Sequence, residues 1–314
     1  MPRVKPEMKV SLAGLELANP IIAASGTFGY GIEFEDIVSL ERIGGFVTKG
    51  ISLEPIAGNS PPRIIQTAAG MLNAIGLQNV GVEEFIARKL PPLRRYPRCN
   101  VIVNVFGCTV GEYLAVIERL NQAEGIAAYE LNVSCPNVHA DYMVFGTDPG
   151  SLEYLINQAS NASTRPLIVK LSPNVTSIAH MARIAANAGA NAVSVSNTFL
   201  AMSIDPETRR PRLANVTGGL SGPAIKPIAL RMVYETAKAV SIPIIGMGGI
   251  TTPSDAVEFL LAGATAVQVG TASFADPFAV ERIAHGLESW CRSHGVQRVS
   301  SLTGALEIPR NSTE

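Results

Sequence analysis

Cys135 stands in the run ELNVSCPN, residues 130–137, which begins as a buried strand and ends on a thiol between Ser134 and Pro136, with Asn132 and Asn137 on either side. A free cysteine is most often a small buried hydrophobe. Here the strand is ending among polar residues and a long loop follows, a setting in which a thiol with an ordinary pKa of about 8.5 can reach a ligand and exchange a proton. Two lysines close other β-rich runs, Lys49 in FVTKG and Lys170 in IVKLS. A buried ammonium is costly unless something pairs with it. Asn104, Asn132, and Asn197 with Thr198 close three more runs; Ser25 closes another, and glycines close the last two, Gly248 with Gly249 and Gly270 with Thr271. A thiol, two lysines and three amides, with few carboxylates, suit a planar, heteroatom-rich and partly anionic ligand. Glycine-bearing strand ends can bind phosphate through main-chain N–H groups, although tight turns use glycine as well. Cys99, Cys108 and Cys291 read as packing, and a nucleophilic pair of Cys135 with His139 is the weaker reading, because a loop histidine is usually solvated.

These residues need a scaffold that gathers strand ends. Eight short apolar runs, at 19–26, 44–50, 101–107, 128–135, 166–172, 192–198, 243–249 and 266–272, alternate with stretches whose apolar residues recur at three and four, such as EYLAVIERLNQ and PSDAVEFLLAGA. That count points to a parallel (β/α)8 TIM barrel forming one domain over residues 1–314, with an open doubly wound sheet as the weaker alternative. AGANAVSV (188–195) and AGATAVQV (262–269) agree at six of eight positions, a light sign of repetition. The strand-to-helix links are the long ones: 52–100, 137–150 and 199–222, the last with a turn between two strand-like pieces. Long loops gathered at one end mark the end where barrels of this kind carry their sites. VSLAGLELANP, before the first strand, reads as a hairpin that plugs the other end.

Of the 314 residues 47% are hydrophobic and only 16% charged, with a formal net charge of -1, which gives no electrostatic reason to expect nucleic acid or an anionic membrane as partner. The four cysteines are widely spaced, without a C-x-x-C pair, which argues against a metal site or disulfide framework and fits a reducing cytoplasm. The start has no apolar segment of the signal-peptide kind.

ELNVSCPN resembles the catalytic-cysteine motif of the soluble, class 1 dihydroorotate dehydrogenases, and the likeness runs through ASGTFG, MLNAIGLQN, FGTDP, VKLSPNV, SNT, NVTGGLSGPAIKP, IIGMGGI and VGTASFADP in order. GGLSGPAIKP and KLSPNV look more like the NAD-linked class 1B than the fumarate-linked class 1A. The resemblance implies a (β/α)8 barrel with FMN across its mouth, oxidising dihydroorotate to orotate in pyrimidine biosynthesis. It implies that Ser25, Lys49, Gly50, Asn104, Asn132, Lys170, Ser196, Gly222, Gly248, Gly249, Gly270 and Thr271 hold the flavin; a lysine near such a ring would stabilise its reduced anion, a role the chemistry assigns to Lys170. Lys49, Asn73, Ala74, Ile75, Gly76, Leu77, Asn132, Asn197 and Thr198 would hold the substrate, and Cys135 would be the base. It also implies a homodimer of this subunit inside a heterotetramer with a subunit carrying FAD and a [2Fe-2S] cluster. This chain has neither the cysteine cluster nor the G-x-G-x-x-G that such a subunit needs. The loop after the cysteine departs from the family's glycine-rich pattern, with Asp141 and Tyr142 in VHADYMVFG. Rival readings are a dihydrouridine synthase-like flavin barrel, which would want a basic face; an aldolase-like barrel with Lys170 as Schiff-base amine; and a non-catalytic binding scaffold.

Overall fold

The computed structural model describes residues 5–134 and 145–309. Eight parallel strands close in chain order into a barrel: β1 (Ile21–Ala23), β2 (Gly45–Val47), β3 (Asn100–Val105), β4 (Ala128–Asn132), β5 (Leu167–Lys170), β6 (Ala192–Val195), β7 (Ile244–Met247) and β8 (Ala266–Val269). β8 pairs back onto β1 through Val267–Ile21 and its successors, which excludes the open sheet. Every residue of β1, β2 and β5 to β8 is buried. That follows from a parallel sheet covered on both faces, whose strands are mostly apolar runs instead of alternating ones.

The covering helices are α1 (Val110–Asn121), α2 (Pro149–Ala162), α3 (Ile178–Asn187), α4 (Lys226–Ala237), α5 (Pro253–Leu261) and α6 (Ala279–Ser293). Short polar side chains start them: Thr109, Asp148 and Ser177 each accept a main-chain N–H three residues on, and Thr252 with Asp255 forms a reciprocal capping box. The strand–helix alternation is irregular at the start. β1 and β2 are joined by 3-10 turns at Ile32–Phe34 and Leu40–Arg42, and the link from β2 to β3 carries short helical turns at Val82–Glu84, Phe85–Lys89 and Pro91–Arg95.

The long links are not loose. Ile64–Thr67 and Gly70–Asn73, from the link after β2, pair with Thr217–Ser221 and Phe199–Met202, from the link after β6, in one four-stranded antiparallel sheet. Leu72, Ala74 and Leu213 form a small buried cluster there. At the opposite end, Val10–Leu12 and Leu15–Leu17 form the expected hairpin, turning through Ala13 and Gly14 with φ 51° and 85°. Leu12 and Leu17 are fully buried, and Asn100 Nδ2, at the first residue of β3, donates to Glu16 O at 3.1 Å and to Gly44 O at 2.9 Å. The hairpin therefore covers the strand starts and leaves the strand ends open.

Candidate active site

A cavity of about 380 Å³ lies over the carboxyl ends of the barrel strands and under the added sheet, within the roughly 300–1,000 Å³ usual for small-molecule sites. Ser25, Lys49, Gly50, Asn104, Asn132, Lys170, Ser196, Asn197, Thr198, Gly222, Gly248, Gly249, Gly270 and Thr271 line it from the barrel side and its links. Asn73, Ile75, Gly76 and Leu77 line it from the link after β2. Ala74 does not: its side chain packs in the cluster with Leu72 and Leu213, its N–H donates to Arg63 O at 2.8 Å, and its carbonyl accepts from Asn59 Nδ2 at 2.9 Å. Cys135 lies outside the described residues, as do Asn137, His139, Asp141 and Tyr142. Ser134, one residue before the thiol, lines the cavity and donates to Lys170 O at 3.1 Å.

Strand register explains the grouping. Asn132, the last residue of β4, stands beside Lys170, the last of β5, and Asn104 of β3 stands beside Glu130 of β4. Residues two apart share a face, so Glu130 and Asn132 both project inward. Asn132 Oδ1 accepts from Asn197 Nδ2 at 3.2 Å and from Ser134 N at 3.4 Å, while Asn197 Oδ1 accepts from Thr198 N at 2.8 Å. Asn73 Nδ2 donates to Gly219 O at 3.3 Å across the added sheet. Asn132 and Asn197 are thus fixed by a shared network and Asn73 by the main chain of the added sheet, all three neutral and able both to donate and to accept.

The cavity is positively biased. Lys170 is 5% exposed, and Lys49 is half-buried. Burial pushes the Lys49 ammonium below the ordinary lysine range, and the nearby Arg63 guanidinium lowers it further. Arg63, which also lines the cavity, is held by Gln78 Oε1 at 2.7 Å and Asn59 O at 3.2 Å. Its position in the turn GNSPPR gave no sign that it would return to the site.

Another part of the lining is main chain. Gly248 and Gly249 follow β7 with φ 126° and 73°, conformations that side-chain-bearing residues rarely adopt. A Cβ on Gly249 would lie 2.8 Å from Gly222 O, so backbone approaches backbone here. The next turn is strapped by Asp255, whose Oδ2 accepts from Thr251 N at 2.9 Å and Thr252 N at 2.8 Å and whose Oδ1 accepts from Lys226 Nζ at 2.7 Å. Ser221, Met71, Gln268 and Phe274 also line the cavity and were not foreseen. Gln268 was legible as the one polar residue inside AVQV.

The donor set answers what kind of group fits. Asn104 Oδ1 and Gln268 Oε1 are buried acceptors without a hydrogen-bond partner, and both residues line the cavity. A bound group that donates would satisfy them, as a heteroaromatic ring with an N–H would. Lysines and glycine turns nearby suit carbonyl oxygens and a phosphate. Among the described residues no group of three or more histidine, cysteine or acidic side chains is placed to hold a metal ion, and no helix is long and apolar enough to cross a membrane.

The model of the family described as dihydroorotate dehydrogenase matches residues 7–290. The chain is 58% identical over 304 residues to a protein of Pelobacter propionicus named dihydroorotate dehydrogenase B (NAD(+)), catalytic subunit, covering 97% of this chain and 100% of the relative. It is 57% identical to the protein of the same name from Trichlorobacter lovleyi, with 97% and 100% covered, and 55% identical to that from Geobacter sulfurreducens, with 97% and 99% covered. With a family match over most of its length and full-length relatives at this identity, the chain belongs to the dihydroorotate dehydrogenase family.

Proposed function

We propose that this chain is the catalytic subunit of an NAD-linked dihydroorotate dehydrogenase, oxidising dihydroorotate to orotate in pyrimidine biosynthesis, with one FMN per chain. The observation that carries it is the cavity itself: the amides of Asn73, Asn132 and Asn197, the ammonium groups of Lys49 and Lys170 and two unpartnered buried acceptors line one space with the glycine turn at Gly248 and Gly249. The relatives' names supply the NAD linkage and the term catalytic subunit. That term supports a partner, which we take to carry FAD and a [2Fe-2S] cluster, in a heterotetramer built on a homodimer of this barrel. The free Cys99, Cys108 and Cys291 fit a reducing cytoplasm.

Ser25, Lys49, Gly50, Asn104, Asn132, Lys170, Ser196, Gly222, Gly248, Gly249, Gly270 and Thr271 would hold FMN, which when bound supplies the hydride acceptor. Asn73, Asn132 and Asn197, with Thr198 and the main chain of Ile75, Gly76 and Leu77, bind and orient the dihydropyrimidine. Their neutrality matters, because a charge beside the carbon losing its proton would bias that step, whereas an amide pairs with ring N–H and C=O alike. Lys49 attracts the substrate carboxylate. Cys135 takes the proton from C5 of the substrate, as a general base in its thiolate form. Lys170 offers positive charge where reduction adds negative charge.

The test is a visible spectrum of the purified chain under anaerobic conditions, followed by dihydroorotate. A flavin band that bleaches is the expected result, with NAD reduced only once the partner subunit is added. A chain that takes up no FMN and leaves dihydroorotate unchanged would overturn the proposal.

A further inference from the structure

Glu130 sits inside the barrel with no solvent exposure. Its Oε1 accepts from Asn104 Nδ2 at 2.8 Å and stands 4.0 Å from Lys170 Nζ. Its Oε2 accepts from Ser194 Oγ at 2.8 Å and from Gln268 Nε2 at 2.6 Å. Strands β3, β5, β6 and β8 therefore aim a polar side chain at one residue of β4. Ser194 and Gln268 occupy the same place in the two echoing segments, AGANAVSV and AGATAVQV, as the one position where each puts a hydrogen-bonding side chain inside the strand.

Each of the hydrogen-bonding neighbours donates, which matches the acceptor-only character of a carboxylate. Burying such a group is costly unless charge and hydrogen bonds offset it. Lys170 supplies the charge, but at 4.0 Å the two are beyond hydrogen-bond reach and interact through space. Asn104, Lys170 and Gln268 line the cavity while Glu130 does not, so a negative charge lies one side chain beneath the cavity floor.

We propose that Glu130 is a positioning residue that holds Asn104 and Gln268 from below and partly cancels the charge of Lys170, so that a flavin held above has a lower reduction potential than the lysine alone would set. This rests on the FMN reading given above. It accounts for a fully buried carboxylate that takes no part in binding substrate or moving its proton.

The experiment compares the wild-type chain with Glu130→Gln, Lys170→Met and the double variant, each loaded with FMN. Midpoint potentials are measured by equilibration with reference dyes, and FMN affinity by titration of the apo chains. Glu130→Gln keeps the shape, and a turn of the Gln268 amide would bring its unpartnered Oε1 to the new N–H group. Removing one unit charge across a few ångströms of desolvated interior should favour the reduced flavin on the order of tenfold, about 30 mV for a two-electron couple. Lys170→Met should shift the potential down, and the double variant should lie between the two single variants. An FMN-loaded Glu130→Gln with an unchanged or lowered potential overturns the inference, whatever its melting temperature, because a purely structural role would weaken FMN binding without raising the potential. If Glu130→Gln retains no FMN, the double variant decides: a potential above that of Lys170→Met supports charge balance, and one equal to it or below overturns it. A wild-type chain that takes up no FMN would fail at the earlier step, and the cofactor reading would fall with it.

Discussion

Asp255→Asn isolates the strap beneath the glycine wall. Asp255, at the start of α5, has a side chain only 11% exposed. Burial alone would push its carboxyl up; hydrogen bonds from Lys226, Thr251 and Thr252 outweigh it and hold the group at about 2, against 3.8 ordinarily. A depression of that size corresponds to about 2.4 kcal/mol as an upper value. Lys226 is 24% and Glu258 43% exposed, so solvent screening reduces it to roughly 1–2 kcal/mol. Asparagine keeps the size but must turn its NH2 either toward the lysine or toward the Thr251 and Thr252 N–H groups, which loses one side of the strap. We expect a variant about 1–2 kcal/mol less stable at pH 7, which for a chain of this size is a fall in melting temperature of about 1.5–3 °C. The sign with pH follows from the depressed carboxyl: its stabilisation is full above the unfolded value near 4 and is lost as pH falls through the folded value near 2. The difference between wild type and variant should therefore shrink by roughly half at pH 3. Melting both chains by circular dichroism at one scan rate from pH 7 to 3 provides the check. A difference that stays constant across that range would refute the electrostatic account and leave only a packing defect.

Replacing Cys135 by alanine should leave FMN bound but slow its reduction by dihydroorotate about 10²- to 10⁴-fold, the usual worth of a general base; stopped-flow bleaching of the flavin measures it, and an unaltered rate would remove Cys135 from the mechanism. Because burial and Arg63 lower the Lys49 pKa, the KM for dihydroorotate should rise with pH below the usual lysine range, as the ammonium that attracts the carboxylate loses its proton; in Lys49→Met the KM should be higher at pH 7 and flat with pH. Gly249→Ala places a Cβ 2.8 Å from both Gly222 O and Lys226 Cβ at φ 73°, so the purified variant should carry little FMN by absorbance ratio and should melt lower, by about 1–3 kcal/mol of strain; full FMN occupancy would show that the turn can move aside.

The strand ends were legible because a parallel barrel turns a one-dimensional feature, the polar residue closing each apolar run, into a ring around one mouth. Lys49, Asn104, Asn132, Lys170 and Asn197 came out of the sequence in this way and line one cavity. Two kinds of residue did not. Arg63, Met71 and Ser221 reach the cavity because the links after β2 and β6, about 150 residues apart in places, pair as Asn73 with Gly219 and Leu72 with Leu220. No local pattern announces such a pairing, since each partner reads alone as a glycine-rich loop. Glu130 is hidden for the opposite reason: it lies inside the motif and in a strand that reads as buried, but a carboxylate does not close the strand, and only the two-residue period from Asn132 marks it as inward-facing. Carried back, it places Glu130 on the inner face, where a carboxylate needs donors. The donors are Ser194 and Gln268, the one polar residue inside each of the two echoing strands. An echo that looks like shared composition is thus, at its one divergent inward position, a pair of donors to the same carboxylate. Composition explains the six matching residues, and the interior of the barrel explains why that inward mismatch is polar in both.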